Sequence, residues 1–259
     1  MRVTWLASYP KCGNTWARFL IYQYHHGEAT SSAQISQVIP DFHVEGQAQA
    51  AAAGRQDIII KTHAQLTPRT RGERFIYIIR HPRDVLLSCM HYMRVQSVGK
   101  LNKNVPDEQY ARLFLKLGGD PLYLQSQFGT VEEHWKSWLD QTRMPGILVR
   151  YEDMKADTAR ELRRMIESTG ETYDEARGKR AVELSSFERL RALEVREKSA
   201  GTTGTVFYGS KQRLREGLLF MNKGQSNRSL ESVAKGLDAE CDTVFRATLE
   251  RFGYAPGRA

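Results

Sequence analysis

Cysteine is scarce in this chain, three in 259 residues, and Cys12, Cys89 and Cys241 have no metal-ligand spacing. That argues against a disulfide framework or a structural zinc site and for a reducing compartment, so a cytoplasmic location is expected. No apolar run approaches the ~18 residues that a membrane span needs. Residues 1–7 lead straight into a loop motif and not through the apolar core of a signal peptide, so neither a span nor an export signal is expected. Acidic surplus is missing as well: 38 Lys+Arg stand against 30 Asp+Glu, a formal charge of +8. A positive balance suits either nucleic acid or a small substrate with several phosphates, and the two differ in how the charge is distributed. Here the basic residues are scattered. Their densest stretches, 160–164 and 177–191, are interleaved with Glu161, Glu167, Glu183 and Glu188, the pattern of solvated helix faces, so no nucleic-acid partner is expected.

What is present is enough for a full core: hydrophobic residues make up 41 % of the chain. Continuous apolar runs at 2–7, 57–63, 75–80 and 147–151 read as strands covered on both faces. Helical patterns lie between and after them, at 15–22, 82–94, 107–117, 131–143, 154–169, 173–184, 186–197 and 229–252. Strands alternating with helices predict an α/β fold, a three-layer P-loop-like domain whose central, mainly parallel sheet is flanked by helices. Neither repeats nor low-complexity tracts occur, so residues 1–259 are read as one domain. Gly, Thr, Ser and Lys dominate 199–228, which predicts a mobile lid or loop.

The junction of the first strand and first helix, Ser8-Tyr9-Pro10-Lys11-Cys12-Gly13-Asn14-Thr15, is a phosphate-loop position, where backbone N–H groups and a helix N-terminus converge. Against the pattern G-x-x-x-x-G-K-[ST], Gly13 and Thr15 fit, Ser8 replaces the first glycine and Asn14 the lysine. The lysine sits within the loop, as Lys11. A nucleotide kinase also needs an Asp near a strand end for Mg²⁺, whereas one strand here ends in Arg80-His81-Pro82-Arg83. Cations in place of carboxylates favour charge neutralisation without metal, although Glu152-Asp153 after the last strand leaves the metal alternative open.

These residues resemble the sulfotransferases that use 3′-phosphoadenosine 5′-phosphosulfate (PAPS). Tyr9-Pro10-Lys11-Cys12-Gly13-Asn14-Thr15-Trp16 is similar to the family's 5′-phosphosulfate loop, Y-P-K-S-G-T-T-W. Arg80-His81-Pro82-Arg83-Asp84-Val85-Leu86-Leu87-Ser88 resembles its 3′-phosphate motif. Lys61-Thr62-His63 resembles the K-T-H of the cytosolic branch, Tyr151-Glu152-Asp153-Met154 its Y-E-D-[LM], and 129–138 its G-S-W-x-x-H-x-x-x-W. The late R-K-G-x-x-G-x-W-K motif is reduced to Asn222-Lys223-Gly224-Gln225-Ser226-Asn227-Arg228, a short form similar to that of bacterial sulfotransferases that tailor small molecules. The K-x-x-x-T-V dimer motif of the animal enzymes is not recognisable, so monomer and homodimer both stay open.

The resemblance implies transfer of a sulfuryl group from PAPS, as co-substrate, to a hydroxyl or amine of a small-molecule acceptor, with no metal required. It implies His63 as base, Lys11 on the bridging oxygen and Lys61 assisting on the transferring group. Imidazole suits proton acceptance near neutral pH, and fixed cations suit developing charge. For the cofactor it implies Lys11 and the backbone of Cys12, Gly13, Asn14, Thr15 and Trp16 at the 5′ end, with the Thr15 hydroxyl. Arg80 and Ser88 are implied at the 3′-phosphate, with Lys223 and Gly224 closing over it and Arg228 in place of the arginine missing at Asn222. Trp16, Tyr151 and Phe187 are candidates to pack the adenine and Ser185 to meet it. Cys12, beside a helix N-terminus, raises the question of a reactive thiolate; the plainer reading is a small residue that fits. A kinase or NTPase, or a non-catalytic nucleotide-binding protein, is the alternative. No motif names acceptor contacts; segments 24–46, 90–123 and 201–217 are expected round the mouth. His91, Tyr92 and Met93 read as helix packing.

Overall fold

Four short strands set the architecture: β1 (Arg2–Ser8), β2 (Asp57–Thr62), β3 (Arg74–Ile79) and β4 (Gly146–Arg150). In the computed structural model, which describes residues 1–70, 72–96, 105–126, 128–202 and 206–256, they pair in parallel in the order β2-β1-β3-β4. Side chains alternate between two buried faces, as a pleated strand requires. Leu6, Ile76 and Ile78 enter one core, and Trp5, Ala7, Phe75, Tyr77 and Ile79 the other. Both faces are apolar, so the strands read as unbroken hydrophobic runs.

Helices cover both faces. α1 (Asn14–His26), α2 (Ser32–Val38) and α3 (Gln47–Ala52) lie between β1 and β2, and α4 (Pro82–Val95), α5 (Asp107–Leu117), α6 (Pro121–Gln125) and α7 (Val131–Leu139) between β3 and β4. After β4 come α8 (Tyr151–Ala156), α9 (Thr158–Ser168), α10 (Glu175–Leu184), α11 (Phe187–Ser199), α12 (Lys211–Arg215), α13 (Leu237–Val244) and α14 (Arg246–Phe252). Phe19, Leu86, Phe114, Leu162 and Leu190 pack the first core. Trp135, Trp138, Leu249 and Phe252 pack the second.

The chain differs from the sequence reading at several boundaries. The helix expected over 154–169 is two helices, broken where the Asp157 side chain accepts the Arg160 N–H and caps α9. Tyr151 opens α8 and does not end a strand. The helix expected over 131–143 stops at Leu139, and the pattern over 229–252 becomes helical only from Leu237. Within 206–228, Val206, Phe207 and Leu219 are buried and the short helix α12 forms. Part of the expected 199–228 lid, at 203–205, lies outside the described residues, as does 97–104 of the expected acceptor segment 90–123.

The connection from β1 leads to β2 on one side, and that from β3 to β4 on the other. The carboxyl ends of β1 and β3 therefore flank the point at which the strand order reverses. In open α/β sheets that crevice receives ligands.

Candidate active site

A cavity of about 390 Å³ opens at this crevice and is lined from both neighbouring loops, by Lys11 and Thr15 after β1 and by Arg80 after β3. His63, at the end of β2, faces the same space. The loop after β1 takes a shape that few sequences allow: Lys11 has φ 71°, rare for a residue with a side chain, and Gly13 has φ 104°. A Cβ on Gly13 would lie 2.5 Å from a Tyr151 ring carbon, so the loop and the start of α8 touch through the missing side chain. Asn14 ties the loop down, donating from Nδ2 to Leu6 O at 3.0 Å and to Ser8 Oγ at 3.3 Å.

Backbone carbonyls select the His63 tautomer. Nδ1 lies 2.8 Å from Ser8 O; a carbonyl only accepts, so Nδ1 carries the proton and Nε2 is the ring's proton acceptor. Burial pushes the imidazolium form well below its ordinary range, and Lys61 adds to this. The ring is thus neutral at pH 7. Its backbone is fixed on both sides: His63 N–H donates to His43 Nε2 at 2.9 Å, and His134 Nε2–H donates to His63 O at 3.0 Å. Trp138 Nε1–H adds a bond to Ala64 O, and Ser137 Oγ accepts from Leu66 N. Helix α7 therefore clamps the chain that carries His63.

The cations divide into two kinds. Lys61 donates to Asp41 Oδ2 at 2.8 Å in a buried ion pair. Burial alone would raise the Asp41 carboxyl, but Lys61, the His43 N–H and Arg18 bring it below its usual value; burial pushes the Lys61 ammonium down to about 8. Among the described residues Lys11 has no carboxylate partner, and burial pushes it too down to about 8. Its Nζ lies 3.9 Å from the Tyr92 ring centre and 4.1 Å from that of Phe220. Arg80 stacks over Tyr151 at 4.2 Å and donates to Lys11 O and Gln225 O, at 3.1 and 2.7 Å. Its buried Nε has no partner among the described residues.

Most of the expected residues meet here. Gly13, Asn14, Thr15, Trp16, Ser88 and Tyr151 line the cavity, as do Phe187, Lys223, Gly224 and Arg228. Gly224 has φ 58°, and a Cβ there would lie 2.8 Å from the Phe187 ring. Arg228 reaches the cavity while bonded to Asp84 at 3.1 Å. Two expected residues stand behind the wall. Ser185 is fully buried, its carbonyl accepting from Trp16 Nε1 and its hydroxyl from Gln23. Cys12 is buried, and burial pushes its thiol up to about 12, so it stays protonated at neutral pH. Glu152 and Asp153 are not among the lining residues; Glu152 accepts the His81 N–H.

Sequence reasoning did not single out Asp41 or His43 within the expected segment 24–46, did not name Phe220, and read Tyr92 as helix packing, whereas all four line the cavity. Asp41 and His43 follow α2 in a turn that no motif announces. Members of each expected mouth segment are present, with His43 from 24–46, Tyr92 from 90–123 and Tyr208 from 201–217.

The donor set suits a polyanion: among the described residues Lys11, Lys61, Lys155, Lys223, Arg18, Arg80 and Arg228 line the space, and the one lining carboxylate, Asp41, is already paired with Lys61. The buried Arg80 Nε at the end of β3, without a partner among the described residues, suits an anionic group. Among the described residues no helix is long and apolar enough to cross a membrane.

Comparison with known proteins gives the same direction. The family model described as the sulfotransferase domain matches residues 2–253. Sulfotransferase 1A1 of Bos taurus is 27 % identical over 230 residues, covering 82 % of this chain and 74 % of that protein. Sulfotransferase 1C2 of Homo sapiens is 25 % identical over 265 residues, covering 95 % and 82 %. Among solved structures, mouse sulfotransferase SULT7A1 complexed with PAP has a TM-score of 0.64 and 19 % identity, covering 96 % of this chain and 84 % of that one. Retinol dehydratase in complex with androsterone and the inactive cofactor PAP has a TM-score of 0.64 and 17 % identity, covering 96 % and 82 %. At these identities the two structures show the shared fold.

Proposed function

The chain belongs to the sulfotransferase domain family and is a sulfotransferase, and from that premise we propose that it carries a sulfuryl group from PAPS to a hydroxyl or amine of a small-molecule acceptor. The observation that supports this most is the meeting of Lys11, Arg80 and His63 in one cavity at the sheet's switch point. When bound, PAPS supplies a sulfuryl group on a phosphate leaving group; its product is 3′-phosphoadenosine 5′-phosphate (PAP).

His63 Nε2 takes the proton of the acceptor hydroxyl, while the bond from Nδ1 to Ser8 O holds the ring and stabilises its transient charge. Lys11 turns its ammonium to the bridging oxygen as negative charge develops there. Such a donor contributes about 3 kcal/mol when well placed. Lys61 assists on the transferring group from its pair with Asp41. The N–H groups of residues 12–16 and the Thr15 hydroxyl hold the 5′-phosphate. Arg80, with Ser88, Lys223, Gly224 and Arg228, holds the 3′-phosphate, and Trp16, Tyr151 and Phe187 enclose the base. Ser185 acts through Trp16. The acceptor enters beside His43, Tyr92 and Tyr208, as in a tailoring enzyme of small molecules. A cytoplasmic site of action belongs to the same reading.

Binding of PAP and of adenosine 5′-phosphate, measured by calorimetry on the wild type and on Arg80→Ala, tests the donor site. Arg80→Ala is expected to weaken PAP by about 1.5–3 kcal/mol and adenosine 5′-phosphate far less, because one charged bond to the 3′-phosphate is lost. Transfer of label from PAPS across an acceptor panel is expected to fall at least a hundredfold in His63→Ala. Absence of PAP binding together with Mg²⁺-dependent ATP turnover would overturn the reading.

A further inference from the structure

Lys11 is held in an unusual way. Among the described residues its ammonium makes no hydrogen bond or ion pair; what surrounds it is Tyr92 of α4 and Phe220 of the late segment, 3.9 and 4.1 Å from ring centre to Nζ. The two rings meet edge to face at 84°, with centres 5.9 Å apart, so they form two walls of a corner with the cation over both faces. Each wall is braced. Tyr208 packs against both rings, and the Tyr92 hydroxyl bonds Gln96. Phe220 is set by a fully buried carboxylate: Glu194 of α11 accepts the N–H groups of Phe220 and Met221, at 2.5 and 2.8 Å, and pairs with Lys198.

We propose that Tyr92 and Phe220 are positioning residues for Lys11, a two-walled aromatic cage that holds its ammonium between the phosphate loop and the acceptor end of the cavity. A ring face attracts the cation through its quadrupole without occupying any N–H group. The contrast with Lys61 is instructive, because that ammonium already spends a hydrogen bond on Asp41. Lys11 instead stays in place with all its donors free for an arriving anion, and no carboxylate competes with that anion for it. Glu194 acts one step further back, by fixing the chain that carries Phe220.

A double-mutant cycle on the unliganded protein tests the cage without any assay of turnover. Unfolding by urea is measured for the wild type, Phe220→Leu, Lys11→Met and the double variant. The loss in folding equilibrium constant caused by Phe220→Leu is expected to be about tenfold larger in the wild type than in the Lys11→Met background. Losses that simply add would overturn the cage. The same cycle with Tyr92→Leu replaces it should Phe220→Leu fail to fold.

A second arm rests on the sulfotransferase reading. Phe220→Leu is expected to lower kcat about tenfold with a smaller change in the donor KM, and Phe220→Tyr, which restores the ring face, to recover most of it. Equal kcat in the Leu and Tyr variants would reduce Phe220 to apolar filling and overturn the positioning role. A wild type that transfers no sulfuryl group would sink the functional reading while the stability cycle still decides the cage.

Discussion

Lys11 and His63 titrate on opposite sides of neutrality, and the direction of each shift fixes the shape of the activity profile. On the proposed mechanism His63 accepts a proton only when neutral, and its folded pKa lies well below 6.5 because it is buried. Activity read as kcat/KM, which reports the free enzyme, is therefore expected to show no loss on descending through pH 6.5. On the same proposal Lys11 acts in its charged form, and burial brings it to about 8. The profile should fall as pH rises through about 8. Burial brings Lys61 to about 8 as well, despite its pair with Asp41, so both ammoniums lose charge in the same range and a variant must separate them. Lys11→Arg keeps the charge, and its residual activity should lose the alkaline limb; a limb that stays near 8 would assign it elsewhere. At this scale Lys11, His63 and Arg80 were legible because each sits in a contiguous motif at a strand end. Asp41 and His43 were not: their meeting with Lys61 and His63 is made by β2 returning beside an irregular turn.

Helix α7 shows how an element far in sequence holds the chain that carries His63. Its His134 takes the Tyr77 hydroxyl at Nδ1 and gives Nε2–H to His63 O, while Trp138 and Ser137 bond the next residues of the same loop. His134 is fully buried. His134→Leu is expected to remove the donor to His63 O and one partner of the Tyr77 hydroxyl, and so to lower stability by about 1–3 kcal/mol. It should also lower kcat at temperatures where the variant is fully folded, because His63 loses one of its two backbone anchors. Urea denaturation and turnover at matched folded fraction check both; unchanged kcat would show that the clamp is structural alone. The motif over 129–138 was visible in the sequence, but its purpose was not, since the partners lie some seventy residues away. Strands were legible because burial on both faces leaves continuous apolar runs. Short helices such as α2, α3 and α6 were not, being single loops of chain held by caps and tertiary contacts: α2 by a capping box at Ser31, α6 by Asp120.

Across the whole molecule the surplus of +8 divides into a few cations with a task and many without. Lys11, Lys61 and Arg80 face one cavity, whereas Arg2, Arg94, Arg112 and Arg251 pair with carboxylates at the surface, where such bonds contribute little. The alternation of strands and helices made the layered fold legible; segment 206–228 has no period, so its course over the cavity could not be read. A second global property concerns acid. Seven histidines are present, and burial lowers every one of them below 6.5. The unfolded chain takes up these protons as pH falls through 6.5, while the folded chain resists until about 4 at His43 and about 3 at His134. Fewer protons on the folded state mean that stability is full above 6.5 and declines below it, by about 1 kcal/mol per pH unit for each well-buried histidine. Asp120 and Glu152, raised by burial, act in the opposite sense, but they are two carboxyls against seven histidines. Urea unfolding at pH 7.5 and pH 5.0 should therefore show a loss of a few kcal/mol well above the range in which carboxylates titrate. A flat dependence between those two values would mean that the histidines are solvated in the folded chain, and with them the geometry that keeps His63 neutral.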